Sequence, residues 1–285
     1  MDPRPASIAG QALRGGDRLG AGGAQTCYIS LVPGVTATII TLNESAHIAA
    51  ALESVAWADE RIVVDAHSTD DTVAIARRFT DRVIVRDWPG YIAQKNYAAS
   101  IASHEWIVSL DADERVTPAL AREIRQLMTA DPPSAGYRVP RVSYYLGRWI
   151  RSTDWYPDYQ LRLYDRRRGR WTGRYVHESV TVEGPAGRLR ADLQHYPYRD
   201  VSHHLATIDR YSSLAARQMF EDGRRAGPSS LLLHPPAAFV RNYIARGGVR
   251  DGTAGLIVSL LNSYYVLLKF VKLWELSQKL EGSDA

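Results

Sequence analysis

The chain has 285 residues, with 35 Lys and Arg against 31 Asp and Glu, for a formal net charge of +4. Hydrophobic residues make up 45% and charged residues 23%, which excludes global disorder, a collagen-like chain and a polytopic membrane protein. A single cysteine, Cys27, excludes a disulfide framework and a cysteine-based metal site, and the slight basic excess leans toward anionic partners.

Residues 1–33 hold Gly15, Gly16, Gly20, Gly22, Gly23 and three prolines with almost no apolar periodicity, and read as a disordered tail. The best apolar run there, Tyr28 to Val32, is shorter than a secretory signal needs, so the protein is expected to stay where it is made. Val35 to Thr41 is a β-branched run that predicts a buried strand. Ile48, Leu52 and Val55 follow at helical spacing. Arg61 to Asp65 predicts a second strand, and Ser68-Thr69-Asp70-Asp71 a capping box opening a helix through Phe79, with Ser68 as the cap. Val83 to Val85 is a third strand, Ile92 to Ile101 a helix, and Trp106 to Leu110 a fourth strand running into Asp111-Ala112-Asp113-Glu114. Thr117-Pro118 then starts another helix, as N-cap and first helical residue.

Strands alternating with helices predict an α/β protein with a mostly parallel sheet covered on both faces, whose ligands bind beyond the carboxyl ends of the strands. The polar residues cluster at those ends: Thr41, Asn43 and Glu44; Asp65 to Asp71; Asp111 to Glu114. Caps and turns would use the same residue types, but three clusters on one sheet edge point to a ligand. Asp111 and Asp113, two carboxylates at i and i+2 past a buried strand, can converge on Mg²⁺ or Mn²⁺ together with a diphosphate. Asp65 lies too early to cap and is a candidate for a base or ribose contact. Gly136 to Glu183, dense in Tyr, Trp and Arg, predicts short strands and loops laid over the ligand edge. Arg162, Arg166, Arg167, Arg168, Arg170 and Arg174 form its basic cluster, suited to a phosphate or to a solvated loop.

Thr38-Ile39-Ile40-Thr41-Leu42-Asn43-Glu44, then Val63-Val64-Asp65-Ala66-His67-Ser68-Thr69-Asp70-Asp71-Thr72, then Asp111-Ala112-Asp113 together resemble glycosyltransferase family 2. Gly90 with Gln94-Lys95-Asn96 is similar to the family's intervening segment. Ala66-His67 departs from it, standing where many members carry Asp-Gly or Gly. The resemblance implies a GT-A fold (Rossmann-like), a nucleotide-sugar donor held by Thr41, Asn43, Glu44, Asp65, Ser68, Lys95, Asp111 and Arg162, a divalent cation on Asp113 and Asp111, and inversion at the anomeric carbon. Trp155 to Tyr164, the Gly169 to Gly173 turn, Val176-His177-Glu178 and Asp251 to Leu256 narrow it to the branch of bacterial lipopolysaccharide-core β-glucosyltransferases. That branch implies UDP-glucose as donor and a lipid-linked saccharide as acceptor.

Inversion needs a general base. Asp158, followed by Leu161 and Arg162, matches the family's pattern, although Pro157 replaces its Glu; Glu178 is the rival. His177 is a candidate third metal ligand or a structural histidine. The three acidic strand ends count against nucleic acid. From Val201 helical spacing returns through Phe220, and Gly227-Pro228 and Pro235-Pro236 mark a break before a last helical region. Thr253 to Leu268 is uncharged but, at 16 residues, shorter than a membrane span. Tyr264, Tyr265, Trp274, Lys269 and Lys272 flank it as in an interfacial helix on an anionic membrane, with Arg166 to Arg170 contributing charge; burial against the catalytic domain is the alternative.

The sequence thus predicts a tail (1–33), a catalytic GT-A domain (34–200) and a helical extension (201–285), peripheral on the cytoplasmic face of the inner membrane. A nucleotidyltransferase and a non-catalytic binder of anionic lipid or glycan are the competing readings.

Overall fold

The computed structural model describes residues 32–173 and 178–281. Apart from Val32 and Pro33, the expected tail lies outside the described residues, as do His177 and Arg174.

The chain runs β1 (Val35–Thr41), α1 (Ile48–Ser54), β2 (Glu60–Asp65), α2 (Thr72–Ala76), β3 (Val83–Val85), α3 (Tyr91–Ser100), β4 (Trp106–Asp111), β5 (Glu114–Val116) and α4 (Pro118–Met128). It continues through β6 (Gly136–Tyr145), β7 (Arg148–Ile150), β8 (Asp158–Asp165), β9 (Gly169–Thr172), β10 (Ser179–Val182), β11 (Gly187–Arg188) and β12 (Leu193–His195). It closes with α5 (Val201–Glu221), α6 (Pro228–Val240) and α7 (Gly252–Glu281). The main sheet has the order β3-β2-β1-β4-β8-β6-β12-β5, with β7 and β11 on β6; β9 and β10 form a separate ribbon.

The half β3-β2-β1-β4 is parallel, as the alternation predicts. Along β1, Val35, Ala37 and Ile39 face α1 and α4 in one core, and Ile40 faces α3 in the other; a strand covered on both faces is apolar throughout. Thr117 caps α4, accepting from Leu120 N–H at 3.1 Å, with Pro118 behind it.

The Gly136 to Glu183 region is not a cover over the sheet edge: β6 and β8 are interior members of the sheet, β8 antiparallel to β4 and to β6, and the Gly169 turn is strand β9. The helix after β2 spans only Thr72–Ala76, with Asp71 at its N-cap making no side-chain cap bond. Ser68 does not cap it: its hydroxyl donates to Asp65 and accepts from Asn43 N–H. Pro235 and Pro236 do not break a helix but lie inside α6. The apolar C-terminal segment belongs to a helix of 30 residues, long and apolar enough to cross a membrane by length and composition, with mean hydropathy 1.6 over its most apolar stretch.

The helical extension is anchored where the sheet's carboxyl edge lies. Because β6 is antiparallel to β8 and β8 to β4, β6 runs with β4, and its far end carries the β6–β7 hairpin. Tyr145 and Ile150 there pack against Ala254 and Val258 of α7. His204 of α5 stacks on Tyr198 at 4.0 Å and bonds Tyr145. Arg166 to Arg168, by contrast, follow Asp165, which pairs with Trp106 at the start of β4. They sit at the opposite end of the sheet, on Ala99 and Ser100 carbonyls, Glu105, Asp165 and Glu183, away from the extension they were expected to assist.

Candidate active site

The loops after β1 and β2 are fastened together. Asn43 N–H donates to Ser68, Glu44 N–H to Thr72 Oγ1 and Ser45 N–H to Asp70, while Asn43 Oδ1 accepts from Thr69 N–H at 2.8 Å. Asn43 reaches this with φ 55°, a conformation Asn tolerates better than most residues. Asp65, expected to meet a base or ribose, is fully buried and accepts from both the N–H and the hydroxyl of Ser68. Asp65, Asn43 and Ser68 therefore hold the two loops together from within. Thr41, by contrast, ends β1 with a buried hydroxyl that has no hydrogen-bond partner among the described residues.

Past β4 a charge network joins four strands, β4, β5, β6 and β8, and helix α3. Asp111 Oδ1 lies 2.6 Å from Lys95 Nζ and Oδ2 accepts from Arg162 at 2.7 Å. Arg162 also donates to Glu114 Oε1 at 2.6 Å, and Arg141 bridges Glu114 at 3.0 Å and Asp158 at 2.6 Å. Three cations and three carboxylates balance. Asp158 and Gln160 share one face of β8; further on, an irregularity opposite Tyr137 and Arg138 makes Arg162 the extra residue of the strand and sends Leu161 and Leu163 into different cores. Gln160 donates to Asp158 Oδ1 at 2.7 Å, so Asp158 is oriented on both oxygens. Lys95 also lies over the Trp171 ring at 4.0 Å. Although burial opposes it, Lys95 and Arg162 hold the Asp111 carboxyl far below the usual carboxylate range.

Asp111 thus spends both oxygens on cations, and the expected convergence of Asp111 and Asp113 on one metal is not how these side chains lie. Asp113 faces elsewhere: its Oδ2 is 3.4 Å from His195 Nε2, and His195 Nδ1 bonds Ser143 at 3.0 Å. Burial pushes the Asp113 carboxyl up, but His195 brings it below its ordinary value. Burial, then Asp113 and Asp70, push Glu44 up to about 7. Burial raises Glu178 as well, with Lys95 opposing and Asp111 adding to it. Among the described residues no group of three His, Cys, Asp or Glu is arranged to hold a metal. Asp113 nevertheless fits a hard cation, since Mg²⁺ or Mn²⁺ takes one or two carboxylates and fills its shell from substrate phosphates and water.

Arg141 and His195 join this site without having been candidates from the sequence, and Glu114 was given no role of its own within the Asp111 to Glu114 cluster. Glu114 had a signal, as the third residue after Asp111 in a tight turn that returns its carboxylate to Asp111 N–H at 3.1 Å. Arg141 and His195 had none.

An α/β sheet with a charge network at the carboxyl edge of its parallel half places its polar groups where open α/β sheets bind ligands. The chain belongs to glycosyltransferase family 2, whose description (Glycosyl transferase family 2) matches residues 36–197. It is 32% identical over 248 residues, 85% of this chain and 92% of the relative, to the lipopolysaccharide core biosynthesis glycosyltransferase LpsC of Rhizobium meliloti. It is 29% identical over 257 residues, 86% and 88% of the two chains, to an uncharacterized glycosyltransferase of Rickettsia prowazekii. Among solved structures it is similar to the mannosyltransferase PcManGT of Pyrobaculum calidifontis, in complex with GDP-Man and Mn²⁺, at 17% identity and TM-score 0.49, covering 86% of this chain and 88% of that one.

Proposed function

We propose that the chain is an inverting hexosyltransferase that moves glucose from UDP-glucose to a lipid-linked saccharide such as lipopolysaccharide inner core, at the cytoplasmic face of the inner membrane. The observation that carries it is the network joining Asp111, Lys95, Arg162, Glu114, Arg141 and Asp158 across four strands and α3. The name borne by the Rhizobium relative supports the acceptor class.

In this reading Lys95 and Arg162 keep the strand end from repelling a diphosphate, and Asp113 is the metal ligand. A divalent cation bound there would neutralise charge on the departing diphosphate. Asp158, held by Arg141 and Gln160, takes the proton of the acceptor hydroxyl as that oxygen bonds to the sugar C1; the C1–oxygen bond to the diphosphate breaks and UDP leaves. Glu178, raised by burial, is the alternative base. Thr41, with its unpaired hydroxyl, and Glu44 face the nucleotide, and Asp65, Asn43 and Ser68 support them.

The nucleotidyltransferase reading needs free backbone N–H groups after the first strand to cradle phosphates. Here those of Asn43, Glu44 and Ser45 already donate to Ser68, Thr72 and Asp70. The non-catalytic reading is separated by calorimetry of UDP binding with and without Mn²⁺: metal-dependent binding lost in Asp113→Asn supports the enzyme, and metal-independent binding in both proteins counts against it.

A further inference from the structure

Among the described residues nothing packs on the outward side of α6, which is apolar. No Asp, Glu, Lys or Arg occurs from Pro228 to Val240. Leu231, Pro235, Ala238 and Asn242 turn inward, while Leu232 is 72% exposed, Leu233 66%, Val240 51% and, one turn beyond the helix, Ile244 66%. Ordinary soluble surfaces scatter such residues singly; these recur at helical spacing along one face. The outer stripe of α7 continues the surface with Leu260, Tyr264, Val271 and Trp274 exposed.

Cations bracket this surface. Arg224 and Arg225 precede α6; Arg241, Arg246 and Arg250 follow it. Burial, then Arg224 and Arg241, lower Lys269 of α7, so the positive charges crowd one another. Asp154 accepts from both Arg241 and Arg246, and Asn242 accepts from Asp154 N–H at 2.6 Å. The end of α6 is thereby tied to the turn leading into Asp158.

We propose that the outward face of α6, with the outer stripe of α7, seats in the headgroup layer of an anionic lipid bilayer as a shallow, non-spanning surface; the proposal rests on the membrane-borne acceptor assigned above. An apolar face rimmed by arginines fits that layer. Its tie through Asp154 sets the acceptor's own lipid beside the catalytic edge. Spanning by α7 would strip it from α5 and α6, where Phe270 and Leu273 pack against Ala216, Met219 and Leu231, and where Lys272 Nζ bonds Asp209, Ser212 and Ser213 of α5 at 2.6–2.9 Å. Lys272, expected from the sequence to face lipid, is thus turned into the helical bundle.

The full chain is tested on phosphatidylcholine vesicles with and without phosphatidylglycerol. The parent should sediment with the anionic vesicles, less so as salt rises. Leu232→Asp with Leu233→Asp should weaken this by about a hundredfold, about tenfold for each leucine transferred, with an unchanged melting temperature and unchanged metal-dependent UDP binding. In a Cys27→Ser background, a spin label at Leu233→Cys should become accessible to oxygen and shielded from an aqueous nickel chelate on vesicles. Equal sedimentation of parent and variant, or a label that stays open to nickel, overturns the proposal. So does a parent dimer that the variant abolishes without loss of vesicle binding, which would make this face a contact between copies. Loss of UDP binding in the parent would instead overturn the enzymatic reading and leave the vesicle result standing.

Discussion

Glu114→Gln tests whether the site is held by a balanced buried charge network. Glu114 is fully buried and its carboxylate receives Arg141 at 3.0 Å, Arg162 at 2.6 Å and Asp111 N–H at 3.1 Å. The amide is isosteric, so no cavity forms, but one negative charge disappears from beside two cations. Breaking a buried pair on one side costs about 3–5 kcal/mol. Arg162 keeps Asp111 and Arg141 keeps Asp158, so about 3 kcal/mol is expected, which for a domain of this size lowers the melting temperature by roughly 6–12 °C. Calorimetric melting of parent and variant reads it directly. Glu114→Gln combined with Arg141→Met, which restores neutrality, should lose less than the sum of the two single variants, with a coupling of about 1 kcal/mol or more. A Glu114→Gln melt within a degree of the parent, or strict additivity, would refute the network as a stabilising unit.

Asp158→Asn should lower the transfer rate by about 10²–10⁴ with donor affinity little changed; the same signature in Glu178→Gln, with Asp158→Asn near normal, would exchange their roles. His204 is pushed down to about 4 by burial among aromatic rings, below its ordinary 6.5, so the fold favours its neutral form. That contribution is complete above pH 6.5 and is lost as pH falls toward 4, about 3 kcal/mol at about 1.4 kcal/mol per unit. Denaturant titrations should show this slope in the parent and lose it in His204→Gln; equal slopes would remove His204 from the account.

The parallel half of the fold was legible because β1, β2 and β4 are β-branched runs closed by polar residues and Thr117-Pro118 is an unambiguous helix start. The antiparallel half was not. Pro140 stands inside β6, opposite Tyr159, where a proline argues against an interior strand, and the irregularity at Arg162 breaks the alternation of β8, so that Leu161 and Leu163 enter different cores. The same punctuation misled at Pro235-Pro236, where contacts with α7, including Ser263 donating to the Pro235 carbonyl, accompany a helix that local preference would end. Of the site, the strand-end acids could be found by position, but their partners could not. Whether Asp65 meets a ligand or its own Ser68, and whether Asp111 meets a metal or Lys95, depends on side chains up to 51 residues away, as with Arg162.

Glucosyl transfer is read by mass spectrometry of a truncated, lipid-linked core saccharide incubated with the enzyme, Mn²⁺ and UDP-glucose. The acceptor should gain the mass of one hexose, with the anomeric proton coupling of a β-glucoside in NMR of the product and release of an equal amount of UDP, and Asp113→Asn should give neither product. An acceptor left unmodified by the parent, in a preparation that binds UDP and is fully folded, would contradict the proposed transfer.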